Sequence, residues 1–401
     1  MSLEKEDLRK KAIRALDKGV DLGFNINDYL EVREYVRESI DLKSKYIRER
    51  VVKLGLNPDS LSAYYQFDRS LIKKIYSKLK GVKILTYEEA LKEYSDLVSK
   101  YNWRLVDVDL DRYTAYNYLY GEGGYVVIVD DNTHVDTPIQ ACLLLSRDRI
   151  FQAPHNIIIV GENSKVTIVT GCGIIKEAAA VHDGVTEIYV GRNSTVYYIM
   201  IHGWGSMQYV ISRTTARIAE DSKFIYYYIT FSPSRALNGL LRVYLDKRAK
   251  AHISSIIASR RKSVIEMNKE AYAYGNGSSI EMISRLLAGH GSRMKSKLAI
   301  YAEAPYIKGH TECNGLLLTE DSDIETIPIL KARYRDVELT HEASIGKLAE
   351  DEIIYLMSKG FSREEAEAVL IRGFMSIKIE GINPSVEKMI KHAIALASKG
   401  L

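Results

Sequence analysis

Cysteine is scarce in this sequence, with only Cys142, Cys172 and Cys313 among 401 residues. Three widely spaced thiols do not make a disulfide framework, so we expect them to be reduced. Without a Cys-x-x-Cys pair, they also cannot supply a preformed four-cysteine zinc or iron–sulfur centre within one chain. Any metal chemistry here must therefore draw on other ligand types.

Long apolar runs are absent too, and no stretch is long enough to span a bilayer. The first residues, Met1–Asp7, are charged and lack the apolar segment of a signal peptide. The formal net charge of +4 is small, and the short basic run Arg260–Lys262 is more simply a solvated turn than a phosphate-binding patch. We expect a cytoplasmic protein that binds neither membranes nor nucleic acid.

The motifs of the commonest enzyme classes are missing. The sequence has no GxxxxGK[ST], no GxGxxG after a strand, no GxSxG and no HExxH. We therefore do not expect this chain to hydrolyse ATP by P-loop chemistry.

Three zones follow one another along the chain. Residues 1–102 carry apolar residues at three- and four-residue intervals, which predicts helices. Residues 103–339 contain short β-branched and aromatic runs between turn residues, which predicts strands. Residues 340–401 return to helical patterns. The predicted helical segments are Leu3–Lys18, Asn27–Leu54, Ser70–Lys80, Tyr87–Tyr101, Ala349–Lys359, a helix capped by Ser362–Glu365, and Pro384–Ser398.

The strand zone repeats. A small residue, any residue and then an apolar residue open successive runs, and the apolar residues are spaced by 30, 28, 27 and 29 positions. These apolar residues are Val166, Val196, Phe224, Ala251 and Ile280. A period in this range is typical of a solenoid, and the strand content makes it a β-solenoid. The alternative is a β-sandwich with chance spacing.

A thiol, an imidazole and a carboxylate lie near the end of this zone. Cys313 falls in Gly309–Asn314, and His341 and Glu342 follow shortly afterwards. These groups bind iron or zinc, and a thiolate also carries sulfur. On a strand Cys313 shares a face with Thr311, and only one of His341 and Glu342 can face it within the same chain. The alternative for Cys313 is a buried small hydrophobic residue.

Cys172 and His182 are weaker candidates. Cys172 lies between two glycines after a strand and fits either a structural or a functional thiol, whereas His182 fits a core or turn histidine. Cys142 and Trp204 are predicted to pack in the core.

Several short segments spread in order over residues 120–375 form a recognisable set. They are Gly123–Ile128, Pro138–Ala141, Thr170–Cys172, His182, Val185–Ile188, Trp204, Gly309–Cys313, Pro328, His341–Lys347, Tyr355–Gly360 and Gly373-Phe374. In this order they resemble the SufB/SufD family of iron–sulfur cluster assembly scaffolds, and SufB more than SufD.

The resemblance implies a right-handed parallel β-helix between two helical domains, in a non-catalytic scaffold. It implies a nascent iron–sulfur cluster built between two such subunits, in a homodimer or with a SufB/SufD-like chain. Another expected partner is a SufC-type ABC ATPase that docks on the C-terminal helices, and ATP binds only to that subunit. A sulfur donor and apo client proteins are also expected partners.

The resemblance also assigns roles to residues. In SufB, the residues at the positions of Cys313 and Glu342 act in cluster assembly. SufD has a histidine at the position of His341, as this chain does, but a glycine at the position of Glu342. Glu342 therefore indicates a SufB-like scaffold, and the alternative is a non-catalytic SufD-like partner. One departure is that no cysteine lies between Gly205 and Glu312, where larger systems carry a sulfur-entry cysteine. A minimal system of one SufB/SufD-type chain with SufC would suit this sequence.

Overall fold

The structure is a computed structural model. It describes residues 3–30, 42–60, 62–69, 71–75, 79–230, 234–259 and 261–376, together with five positions between 384 and 391.

Strands dominate the described residues. They are β1 Ala63–Phe67, β2 Leu71–Ile75, β3 Val82–Thr86, β4 Tyr125–Val129, β5 Ile139–Leu145, β6 Ile150–Gln152, β7 His155–Val160, β8 Lys165–Ile174, β9 Ala180–Val190, β10 Thr195–Gly203, β11 Tyr209–Ile218, β12 Lys223–Thr230, β13 Ala236–Leu245, β14 Lys250–Ser259, β15 Val264–Ala273, β16 Ser279–Ala288, β17 Arg293–Ala302, β18 Lys308–Leu317, β19 Asp323–Ala332 and β20 Glu338–Lys347. The helices are α1 Leu3–Arg14, α2 Asn27–Leu30, α3 Lys45–Lys53, α4 Tyr87–Glu93, α5 Ser95–Val98, α6 Arg112–Tyr120, α7 Glu350–Ser358 and α8 Arg363–Met375.

The strands form two facing sheets. One has the order β2-β1-β5-β8-β10-β12-β14-β16-β18-β20, and the other runs β19-β17-β15-β13-β11-β9-β7-β4-β3. From β7 onwards, successive strands alternate between the sheets, and neighbours within a sheet are parallel. The chain is therefore a parallel β-solenoid of about 8 coils with helices at both ends, which confirms the predicted fold class.

The sequence repeat sets the strand register. Val196 pairs with Val166 on one side and with Phe224 on the other, and the same column continues through Ala251 to Ile280. All five residues are buried. The predicted spacing of the apolar residues is therefore the length of one coil.

The turns before these strands repeat as well. Asn163 and Asn193 adopt left-handed φ values of 53° and 54°, a conformation that asparagine tolerates. Their side chains join at 2.8 Å, from Asn193 Nδ2 to Asn163 Oδ1. The next residue, Ser194, donates its hydroxyl to the Gly161 carbonyl at 2.7 Å. Each turn is thus stacked on the turn of the preceding coil.

The N-terminal region corrects two helix predictions. The segment Asn27–Leu54 is not one helix, because residues 42–44 are not helical and α3 begins only at Lys45. The segment Ser70–Lys80 was predicted to be helical, but β2 forms an antiparallel pair with β1 at the first edge of the sheet. The apolar residues Leu71, Ile72 and Ile75 fit a helix face and a strand equally well, so pairing with β1 decides the structure. The segment Tyr87–Tyr101, predicted as one helix, forms the two short helices α4 and α5 and is helical only as far as Val98.

At the other end, β20 crosses the predicted boundary at residue 340, and helix begins only at Glu350. The predicted capping box is confirmed, because Ser362 Oγ accepts from the Glu365 amide and the Glu365 side chain accepts from the Ser362 amide. The Arg285 Nη1 donates to the Ser376 carbonyl at 2.7 Å and ties the end of α8 to β16. Most of the predicted helix Pro384–Ser398 lies outside the described residues.

No helix in the described ranges is both long and apolar enough to cross a membrane.

Candidate functional site

Cys313 lies on the inner face of β18, close to the C-terminal end of the solenoid. Its side chain is 1% exposed, whereas the flanking Glu312 and Asn314 are half-buried on the outer face. Its neighbour on β20 is Ala343, and β20 is the last strand of its sheet in the described chain. Only the last coil, with the small side chain of Ala343 at this position, therefore lies between the thiol and the end of the described solenoid.

His341 and Glu342 lie on opposite faces of β20. His341 is paired with Thr311, which shares the inner face with Cys313, and Glu342 is paired with Glu312 on the outer face. Both His341 and Glu342 are exposed. The structure thus brings His341 to the face of Cys313 and leaves Glu342 about one strand spacing, roughly 5 Å, from Glu312.

The last coil forms what we call the exposed coil end, made of β19 and β20. Most residues of β20 are exposed, including Ile345 at 45%. In the described chain each of these strands ends its sheet, so one backbone edge of each faces no further strand. Apolar side chains and free strand edges of this kind are typical of surfaces that pair with another chain.

Sequence reasoning missed a polar cluster inside the solenoid next to Cys313. This interior polar cluster consists of Ser255, Lys269, Ser284, Ser296 and Thr311, all at most 1% exposed. Ser284 is paired with Cys313 in the sheet, and its hydroxyl lies 3.0 Å from the Ser296 hydroxyl. The sequence repeat could have revealed Lys269, because this lysine occupies the position that Leu241 and Leu298 occupy in the preceding and following coils.

Burial raises the pKa of the Cys313 thiol above its ordinary value, and Glu312 adds to this effect. The Lys269 ammonium opposes the shift. The thiol is therefore protonated at neutral pH in the isolated chain, and binding of a metal or a sulfur electrophile would require loss of that proton.

Cys172 and His182 lie far from Cys313. Cys172 is paired with His202 on the inner face of β10, and the His182 and His202 rings are 6.4 Å apart between their centroids. Five strand steps separate β8 from β18, which corresponds to roughly 24 Å. Burial lowers the pKa of His182 to about 3, so its ring is neutral.

Cys142 and Trp204 are buried in apolar clusters, as predicted. Among the residues that the structure describes, no group of three or more His, Cys, Asp or Glu side chains is arranged to hold a metal ion. A metal bound at Cys313 and His341 therefore needs further ligands, either from movement of the exposed coil end or from another molecule.

The fold and this site define a class of protein: a β-solenoid that holds a single thiol beside an exposed coil end. Comparison with known proteins makes the assignment narrower. A family model described as "SUF system FeS cluster assembly, SufBD core domain" matches residues 143–374, and one described as "SufBD protein N-terminal region" matches residues 55–141.

Full-length relatives agree with the family models. The chain is 32% identical over 409 residues to an "Iron-sulfur cluster assembly SufBD family protein" of Methanothermobacter thermautotrophicus (strain Delta H). This alignment covers 98% of this chain and 99% of the relative. It is 35% identical over 357 residues to a protein of the same description from Archaeoglobus fulgidus, covering 88% and 96%. The chain therefore belongs to the SufBD family of iron–sulfur cluster assembly proteins, as its sequence segments indicated.

Proposed function

We propose that this chain is a scaffold, not a stand-alone enzyme, and that an iron–sulfur cluster is built on it at the exposed coil end. The observation that carries the proposal is the placement of Cys313 and His341 on one face of the last two coils of this sheet. Thiolate and imidazole are suitable iron ligands, and a site with few thiolates releases its cluster more readily than a four-cysteine site.

Two copies of the chain, or this chain and a SufB/SufD-like partner, meet at their exposed coil ends in this proposal. The free edges of β19 and β20 can extend the sheets across such a contact. Cys313 and His341 then contribute from inside the coil. Glu342 contributes a carboxylate from the outer face, where it reaches iron held partly by the second subunit.

A SufC-type ABC ATPase docks on the C-terminal helices in the same proposal and supplies the ATP chemistry. The support is an apolar surface on and after α7, where Ile354, Tyr355, Met357 and Phe361 are all at least 41% exposed. Exposed apolar side chains clustered on one short helix are typical of a protein-binding surface. A sulfur donor and apo client proteins, in the cytoplasm, complete the proposed pathway.

The test is anaerobic reconstitution of the full chain with the ATPase, ferrous iron and sulfide, followed by the visible absorption spectrum and iron and sulfide analysis. We expect Cys313→Ala and Glu342→Ala each to reduce cluster yield at least tenfold. Cys142→Ala is the matched control, because that thiol is buried under the N-terminal helices and should leave the yield unchanged.

Undiminished yield in both Cys313→Ala and Glu342→Ala would contradict the proposed roles. If the wild-type chain builds a cluster only in the presence of a second SufB/SufD-type chain, and does so equally well without Cys313, then this chain is the non-catalytic SufD-like partner.

A further inference from the structure

Lys269 is a charged residue in the apolar interior of the solenoid. It lies on the inner face of β15 and is 0% exposed, with Leu241 and Leu298 as its paired neighbours on β13 and β17. Burying an ammonium group is costly unless an anion or several hydrogen-bond acceptors compensate it. Lys269 is not among the proposed cluster ligands Cys313, His341 and Glu342.

The compensation of Lys269 is incomplete. Its Nζ has three protons to donate. Among the described residues, it has one hydrogen bond, to Ser284 Oγ at the long distance of 3.4 Å, and no ion pair with a carboxylate. The Cys313 side chain is its electrostatic neighbour on the inner face of β18.

Further hydroxyl groups lie in the same part of the solenoid interior. Ser284 Oγ is 3.2 Å from Ser255 Oγ and 3.0 Å from Ser296 Oγ, so three serine hydroxyls form a chain across the interior. Thr311 Oγ1 is buried and has no hydrogen-bond partner within the described residues. A buried cation beside serine hydroxyls, with the unpartnered Thr311 hydroxyl on the same inner face as Cys313, has the donor chemistry of a small anion site.

We propose that the interior polar cluster binds one hydrosulfide ion beside Cys313, with Lys269 as its counter-ion. This inference rests on the proposed role of Cys313 in cluster assembly.

The surroundings select a small monovalent anion. Met282 and Leu286 of β16 and Leu298 of β17 are at most 1% exposed and enclose the site with apolar groups. A multiply charged, strongly hydrated anion such as phosphate would lose too much hydration energy there. Hydrosulfide carries one charge and is weakly hydrated, and a site next to Cys313 stores sulfur where a cluster needs it. The reaction that supplies this ligand must therefore be one that releases inorganic sulfide.

Entry is short from the exposed coil end. On the inner face of β20, Ala343 lies over Cys313, and both Ala343 and His341 are exposed. An anion entering there passes two coils, those of β20 and β18, to reach Ser284 on β16. This route needs no additional cysteine, which fits the absence of cysteine between Gly205 and Glu312.

The first test uses bromide, which has the charge and about the size of hydrosulfide, in crystals of the full chain. An anomalous difference peak is expected within hydrogen-bond reach of Lys269 Nζ. The second test is anaerobic equilibrium dialysis against sodium hydrosulfide, where about one ion per chain is expected to be retained. Lys269→Met should abolish the peak and weaken retention at least about tenfold.

Controls separate binding from folding. Lys250→Met changes an exposed lysine and should leave both measurements unchanged. Lys269→Met replaces a buried charge by an apolar side chain of similar length and should fold, which thermal unfolding checks. Thr311→Val removes only an unpartnered hydroxyl and should weaken retention without loss of stability.

The inference is overturned by wild-type crystals without a bromide peak in the cluster, or by undiminished hydrosulfide retention in Lys269→Met. The proposed function can fail separately. Bromide bound at Lys269 in a chain that builds no cluster refutes only the scaffold role, whereas a cluster built without any anion at Lys269 refutes only the hydrosulfide site.

Discussion

Asp183 is a fully buried carboxyl on β9, and neither of its side-chain oxygens has a hydrogen-bond partner among the described residues. Burial raises its pKa well above the ordinary value of 3.8, with Asp111 adding to the effect and Arg213 opposing it. The native state therefore keeps the proton that the unfolded chain releases. The contribution of the Asp183 carboxyl group to stability is fully present below pH 3.8 and is lost as the pH rises through its raised pKa in the native state.

We therefore predict that Asp183→Asn stabilises the protein, and more so at pH 8 than at pH 5, by on the order of 2 kcal/mol at the higher pH. The amide resembles the protonated acid but has no proton to lose. Denaturant unfolding at both pH values measures the difference, and Asp323→Asn, at an exposed position, is the control. A pH-independent effect of Asp183→Asn would contradict the assigned protonation.

At the same scale, the sequence predicted some side chains better than others. The alternation of a strand placed Cys313 with Thr311, and the structure agrees. The period of about 30 residues also relates Glu312 to Glu342, a pairing that was not drawn from the sequence but follows from its repeat. Lys269 could not be interpreted alone, because a lysine on a strand is usually solvent-exposed and only the register places it among leucines.

At the scale of elements, Glu187 joins the N-terminal region to the solenoid. This buried carboxylate on β9 accepts hydrogen bonds from the backbone amides of Trp103 at 2.7 Å, Arg104 at 2.8 Å, Leu105 at 2.6 Å and Val106 at 3.2 Å. His155 Nε2 lies 2.9 Å from its Oε2. One side chain of the solenoid thus fixes the segment that joins α5 to α6.

Glu187→Gln should reduce the free energy of unfolding by about 2–4 kcal/mol. The side-chain NH2 group of glutamine cannot accept a hydrogen bond, so it would face backbone N–H groups that then have no acceptor. Chemical denaturation followed by circular dichroism gives this value. Glu162→Gln is the matched control: Glu162 pairs with Arg192 on the surface, and its loss should leave the free energy of unfolding nearly unchanged. Equal effects of the two substitutions would show that Glu187 does not hold the segment between α5 and α6.

Elements differ in how much local sequence determines them. The solenoid coils were predictable because each coil repeats the same small-x-apolar pattern, and the capped helix α8 because Ser362 and Glu365 satisfy its first amides locally. The strand β2 was not predictable from local sequence. Its five residues carry apolar side chains at spacings that fit a helix as well as a strand, so pairing with β1 determines their conformation.

At the scale of the whole molecule, the two ends of the solenoid differ. At the N-terminal end, the first sheet ends in the β1–β2 hairpin and α3 packs over it, with Val51, Tyr65 and Cys142 in one apolar cluster. At the C-terminal end, β20 is largely exposed, β19 is half-buried over much of its length, and each of them ends its sheet in the described chain. A sequence cannot show this asymmetry, because a repeat gives the shape of each coil but not what covers the last one. The asymmetry is the reason to assign the assembly chemistry to the C-terminal end.

The most direct measurement of this assignment is an iron anomalous-scattering map from crystals of the anaerobically reconstituted full chain. The account predicts iron at the exposed coil end, in contact with Cys313, and loss of that peak in Cys313→Ala. Iron bound instead at Cys172 and His182, with nothing at Cys313, would contradict it.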